Sequence, residues 1–202
     1  MRNIRFLVGF FGLLLAGCAG VGIVATSDPL TKLNDAEYLF MRQDRPLPAE
    51  RLIREAIAIY QEGDDSHGLG NAYREYGDLL LSPAVIKWEK LYRRDGFLDK
   101  SVTYDNRDVK ASENYSKALE YYKRAEQQLR DASKYDARTN VYFNMAWSYY
   151  SLNDRVKACN YYDRALEAYT ENIRRNPSAK PYSPSGTVPE LVESMKKRAG
   201  CA

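Results

Sequence analysis

The sequence predicts an all-α fold: a solenoid of antiparallel helix pairs with one inserted segment and a closing C-terminal helix. Three observations carry this. After residue 28 no stretch alternates apolar and polar residues long enough to suggest a sheet. Ala, Leu, Tyr, Glu, Lys and Arg recur instead at helical spacing. The chain also repeats itself, because Lys117-Ala118-Leu119-Glu120-Tyr121-Tyr122-Lys123-Arg124-Ala125 matches Lys157-Ala158-Cys159-Asn160-Tyr161-Tyr162-Asp163-Arg164-Ala165 at six of nine positions. With 202 residues, 45% hydrophobic and 28% charged, the chain can build one domain of good size. Lys and Arg number 30 against 27 Asp and Glu, a formal charge of +3 that falls to about +1 once Arg2 and Arg5 are removed. So balanced a charge leaves no electrostatic footprint for nucleic acid. A single His leaves little room for a His-based metal site or a His-dependent triad.

The N-terminal segment reads as an address. Arg2 and Arg5 precede an uncharged apolar run of ten residues, 6–15. As a helix that run spans about 15 Å, half a bilayer core, so it makes no stable membrane anchor. A charged start and a short apolar stretch read as a secretory signal over 1–17. It closes on Leu15-Ala16-Gly17-Cys18, which resembles the lipobox of bacterial lipoproteins. In that family the cysteine is thioether-linked to diacylglycerol and becomes the mature N-terminus. The resemblance implies a covalent lipid on Cys18 and no other cofactor. Ala19, rather than an acidic residue, follows the cysteine, which in the family's sorting pattern implies the periplasmic side of the outer membrane. One acyl chain anchors marginally and two hold firmly. Residues 18–28 read as a lipidated tether.

The helical repeats follow over 29–175. First helices carry Leu33, Ala36, Glu37 and Phe40, then Tyr73, Tyr76, Gly77 and Leu80, then Tyr142, Met145, Ala146 and Tyr149. Second helices carry Ala49, Ile53 and Ala56, then Ala118, Tyr122 and Ala125, then Ala158, Tyr162 and Ala165. Each set falls on one helix stripe, so most of the tyrosines read as helix-on-helix core, with Tyr121 and Tyr161 off the stripe. The pattern resembles the tetratricopeptide repeat, in which small residues let two antiparallel helices approach and aromatics fill the space between. It also departs from that family. Ala118 stands 21 residues before Thr139, six more than in the family's short form, so the second helices are longer by one to two turns. The closing Pro is absent at Thr170.

One unit is interrupted, because Gly77 lies 41 residues before Ala118 where the last unit needs 12. The insertion covers about 83–110. Val85, Trp88, Leu91 and Tyr92 fit one face of a short helix through Arg93, and Asp95-Gly96 marks a turn. Phe97-Leu98 and Val102-Thr103-Tyr104 are apolar enough to pack. The excursion reads as ordered, and either binds something or only covers core. Residues 176–202 form a Pro-rich linker, with Pro177, Pro181, Pro184 and Pro189, and a capping helix over 188–198 carrying Leu191, Val192 and Met195. Cys159 and Cys201 remain once Cys18 is lipidated. In an oxidising compartment they form either a disulfide or two unpaired thiols.

No constellation of catalytic or metal-binding residues emerges. His67 sits in Asp64-Asp65-Ser66-His67-Gly68, read as a turn with a solvated histidine, where Asp65 and Ser66 are the usual start of a helix. Gly68-Leu69-Gly70 lacks the remaining glycine of a phosphate loop, and Asp105-Asn106-Arg107-Asp108 is unlike a calcium loop. On the helix beginning near Thr139, Asn140, Asn144, Trp147 and Ser151 fall opposite the packing side. Asn71, Glu75, Asp78 and Ser82 match them one unit earlier. In the resembled family this side lines a concave, protein-binding groove, and a Trp amid amides either captures an extended peptide or packs under the cap helix or the inserted loop. The resemblance thus implies a non-enzymatic adaptor lipoprotein that binds a protein or peptide partner and helps assemble or dock an envelope complex. The alternative is a secretion-system or toxin-associated accessory lipoprotein. A cell-wall hydrolase is disfavoured by the single His and the missing nucleophile pair.

Overall fold

Asp28 accepts a hydrogen bond from the Thr31 backbone N–H (2.8 Å), and Pro29 supplies the preset φ of a first helical position. That pair starts α1 (Pro29–Arg42). The structure is a computed structural model, and it describes residues 26–131, 134–178 and 186–201. The signal segment 1–17, Cys18, most of the tether, Pro181 and Pro184 lie outside the described residues. Among the described residues nine helices and no strand form, and no helix is long and apolar enough to cross a membrane.

α1 packs on α2 (Pro46–Glu62), which begins on a proline, and Leu33, Ala36, Leu39 and Phe40 meet Ala49, Ile53 and Ala56 in one core. Asp65 caps α3 (Ser66–Leu80) by accepting from the Gly68 N–H (2.9 Å). His67 is therefore the second residue of a helix and mostly buried beside Tyr122, not a solvated turn residue. Burial pushes its pKa down, against the pull of Asp65.

The inserted segment is ordered, but its outline differs from the expectation. Ser82 caps α4 (Pro83–Lys87), which stops at Trp88, and α5 (Glu89–Asp95) follows. Trp88 sits at the break instead of on a buried face. Its Nε1 donates to the Asp44 carbonyl (2.8 Å), and the residue stays 43% exposed. Val85, Tyr92, Phe97, Val102 and Tyr104 do pack inward, whereas Leu98 and Thr103 face solvent. Gly96 takes φ +73°, a left-handed turn that brings Phe97 onto Tyr92 with ring centroids 4.1 Å apart. One side chain pins the excursion. Glu50 of α2 is fully buried, and its Oε1 accepts from the backbone N–H groups of Leu98 (2.8 Å) and Asp99 (3.2 Å) and from the Tyr76 hydroxyl (3.0 Å).

α6 (Arg107–Asp131) starts inside the segment expected to be inserted, so its first turn belongs to both. It approaches α3 closely because α3 carries glycine there. A Cβ on Gly70 would lie 2.5 Å from the Tyr122 ring, and one on Gly77 2.9 Å from the Tyr115 ring. α7 (Tyr135–Ser151) begins four residues before the expected start at Thr139 and pairs with α8 (Arg155–Arg175), capped by Asp154. Val141, Met145 and Ala146 meet Ala158, Tyr162 and Ala165 between them. The off-stripe tyrosines also pack, Tyr121 stacking on Tyr73 (5.5 Å) and Tyr161 on Tyr149 (5.3 Å). α9 (Val188–Ala199) opens with a reciprocal cap between Thr187 and Glu190 and closes on Gly200 in the left-handed region. Val192 and Ala199 join the α7–α8 core, and a disulfide links Cys201 to Cys159 on α8, with Cα atoms 5.6 Å apart. Consecutive long helices stack on one another from α1 to α9, which is the one-dimensional order of a solenoid.

Candidate functional site

The first helices of the three units, α1, α3 and α7, share a concave face that α9 closes at one end. The groove they form has a volume of about 530 Å³. Six of the eight expected groove residues line it: Glu75, Asp78, Ser82, Asn144, Trp147 and Ser151. The apolar part of the lining includes Phe40 and Met41 of α1, Leu81 just past α3, Phe143 of α7, and Leu191 and Met195 of α9. Two expected residues stand elsewhere. Asn140 is exposed and does not line the groove, because the concavity centres on the C-terminal half of α7, two turns further on. Asn71 lies beneath, where its Oδ1 accepts from the Tyr122 hydroxyl (2.9 Å) and from Asn144 Nδ2 (3.0 Å).

The polar groups of the floor are largely spent on the protein itself. Asp78 Oδ1 accepts from the Tyr115 hydroxyl (2.7 Å) and Trp147 Nε1 (3.0 Å), while its Oδ2 is held by Arg74. Ser82 is buried, and its Oγ accepts the Val85 N–H (3.3 Å), so it serves as a helix cap instead of an open polar contact. Glu75 is also buried, not open as its helical position suggests. One oxygen accepts from Arg74 (2.7 Å) and the other, Oε1, has no hydrogen-bond partner. Burial raises the Glu75 pKa against the pull of Arg74, and the carboxylates of Asp78 and Glu37 raise it further. Burial works against the Arg74 charge, yet Glu75 and Asp78 hold the guanidinium firmly protonated.

Trp147 is half-buried. Besides its bond to Asp78, its ring lies 5.5 Å from the Arg198 guanidinium of α9 and 5.9 Å from Tyr150. It thus ties α7 to α3 and to the cap helix α9 while also lining the groove, so both readings of its position meet in one residue. Trp147→Ala should lower unfolding free energy by about 2 kcal/mol, through lost area and one lost hydrogen bond. Urea titration followed by circular dichroism measures this, and a change within ~0.5 kcal/mol would return the residue to a purely external role.

Sequence reasoning missed Arg74, Tyr115 and Arg198. Gly77 in the small position of α3 was the one available sign that an aromatic from α6 would cross there. Among the described residues no group of three or more His, Cys, Asp or Glu is placed to hold a metal ion.

A family model, Tetratricopeptide repeat, matches residues 139–172, which cover most of α7 and α8. No curated protein and no solved structure matches the chain. The fold is therefore an all-α, tetratricopeptide-like helical solenoid, and repeats of this kind generally mediate protein–protein interactions.

Proposed function

We propose that this chain is a non-enzymatic adaptor lipoprotein, held by a lipid on Cys18 at the periplasmic face of the outer membrane. There it binds a segment of a protein partner and assists the assembly or docking of an envelope complex. The observation that carries the binding role is the groove itself, built from the first helices of all three units and furnished with apolar rims. The anchoring role is supported by the lipobox-like Leu15-Ala16-Gly17-Cys18 and by Ala19.

Two measurements test the reading in cells. A photo-crosslinking amino acid at Met41, 57% exposed on the groove rim, should give a discrete protein adduct, and one at Val156, 83% exposed beyond the groove, should not. Adducts from Val156 alone, or none from either position, overturn the groove. Cys18→Ser should abolish labelling by a fatty-acid analogue and release the protein from membranes, because Cys18 is the thiol of the lipobox. Undiminished label in that variant overturns the anchor.

A further inference from the structure

We propose that the groove selects a peptide bearing a lysine or arginine next to an apolar side chain, with Glu75 as the acceptor for that cation. This rests on the groove reading above and specifies its ligand. The starting point is an unpaired atom. Glu75 is 3% exposed and lines the groove, and its Oε1 has no hydrogen-bond partner. A buried carboxylate oxygen without a donor is costly, and a ligand that brings one removes the cost on binding.

Charge then decides what kind of donor fits. At this end of the groove Glu37, Glu75 and Asp78 face a single cation, Arg74. Arg74 is bound through its two terminal nitrogens to Asp78 and to Glu75 Oε2 (2.7 Å), and its buried Nε, like Glu75 Oε1, has no partner. The other lining cation, Arg198, lies over the Trp147 ring at the α9 end. Even with Glu75 protonated, Glu37 and Asp78 outnumber Arg74 here, so a ligand cation is attracted, whereas a phosphate or an acidic peptide is repelled. The rim beside them is apolar. Met41 is 57% and Leu81 41% exposed, and both line the groove together with Phe40. They suit the aliphatic stem of a Lys or Arg and one neighbouring Leu, Ile or Met.

Binding of a cation at Glu75 also couples to a proton. Glu37 of α1, Arg74 and Asp78 of α3 and Tyr122 of α6 are the titratable groups that face it, and α7 presents Asn144 and Trp147, which do not titrate. Burial raises the Glu75 pKa in the free protein, so a bound cation displaces a proton and affinity rises with pH.

The full chain in detergent is panned against a phage-displayed library of random dodecapeptides. The expected consensus holds Lys or Arg adjacent to Leu, Ile, Met or Phe. A synthetic consensus peptide should bind Glu75→Gln about tenfold more weakly. Its affinity for the unaltered protein should rise between pH about 6 and about 9, and that slope should vanish in the variant. Glu37→Gln, at an exposed position, should weaken binding about twofold and keeps the test open should Glu75→Gln fail to fold. A consensus without a basic residue, or equal affinity for both variants and the unaltered protein, overturns the cation site while leaving a peptide groove in place. Failure to enrich any sequence overturns both.

Discussion

Glu50→Ala should destabilise the fold by about 3–5 kcal/mol. Removing the carboxylate, itself fully buried, leaves three donors without their acceptor, the part-buried N–H groups of Leu98 and Asp99 and the buried Tyr76 hydroxyl. Each buried orphan costs roughly 1–3 kcal/mol, partly relieved as the 96–106 segment loosens. Glu50→Gln keeps a carbonyl oxygen for the same donors and removes the burden of a buried charge, so its loss at neutral pH should be much smaller. Burial raises the Glu50 pKa above its ordinary value of 4.5. The folded protein therefore holds that proton more tightly than the unfolded chain. Its contribution is fully present below pH 4.5 and is lost as pH rises through the raised folded value. Lowering the pH across that window should stabilise the unaltered protein relative to Glu50→Gln. Urea unfolding at several pH values checks both claims, and a loss under ~1 kcal/mol for Glu50→Ala would mean that the excursion is held by something else.

Replacing both Cys159 and Cys201 by serine should cost about 4 kcal/mol, the loop-closure value for a sequence separation of 42. The effect should be local first. α9 would still have Val192 and Ala199 in the core and the Lys196–Asp163 ion pair (2.8 Å), so it remains docked but opens more often. Hydrogen exchange should quicken across α9 and the end of α8 while α1 and α2 are unchanged. Unchanged exchange in α9, or an unchanged urea midpoint, would show that packing alone seats the cap.

The stacking order was readable because it is periodic. Ala36, Ala49, Ala56, Ala118, Ala146, Ala158 and Ala165 mark the close approaches, and all are fully buried. The face of α7 that turns to the groove was readable too, since Asn144, Trp147 and Ser151 follow from helical angle alone. What those groups touch was not. Asn71 is engaged by a hydroxyl 51 residues away, and Glu50 by amides 48 and 49 residues away. Glu50 occupies a position between Ala49 and Arg51 that looks like any solvated helical glutamate, yet Tyr76 of α3 and the inserted segment both close on it. The break at Trp88 has the same origin, because its indole is drawn to the Asp44 carbonyl across 44 residues. Periodicity reports which face is covered and carries nothing about a partner brought in by a decoration of no repeat.

Tyr115 and Tyr122 begin on α6, in the outer layer of helices, cross α3 at Gly77 and Gly70, and end with their hydroxyls on Asp78 and Asn71. Those two residues are the ones that Trp147 and Asn144 hold from the other side. The inner surface is thus bolted through to the outer one at two points, and the bolts pass where α3 has no side chain to obstruct them. A load on Trp147 or Asn144 is delivered to α6, the helix that the inserted segment leads into, and a displacement of α6 moves the groove floor in return. An added methyl at residue 70 or 77, on neither surface, would displace one tyrosine and leave the two layers joined at a single point.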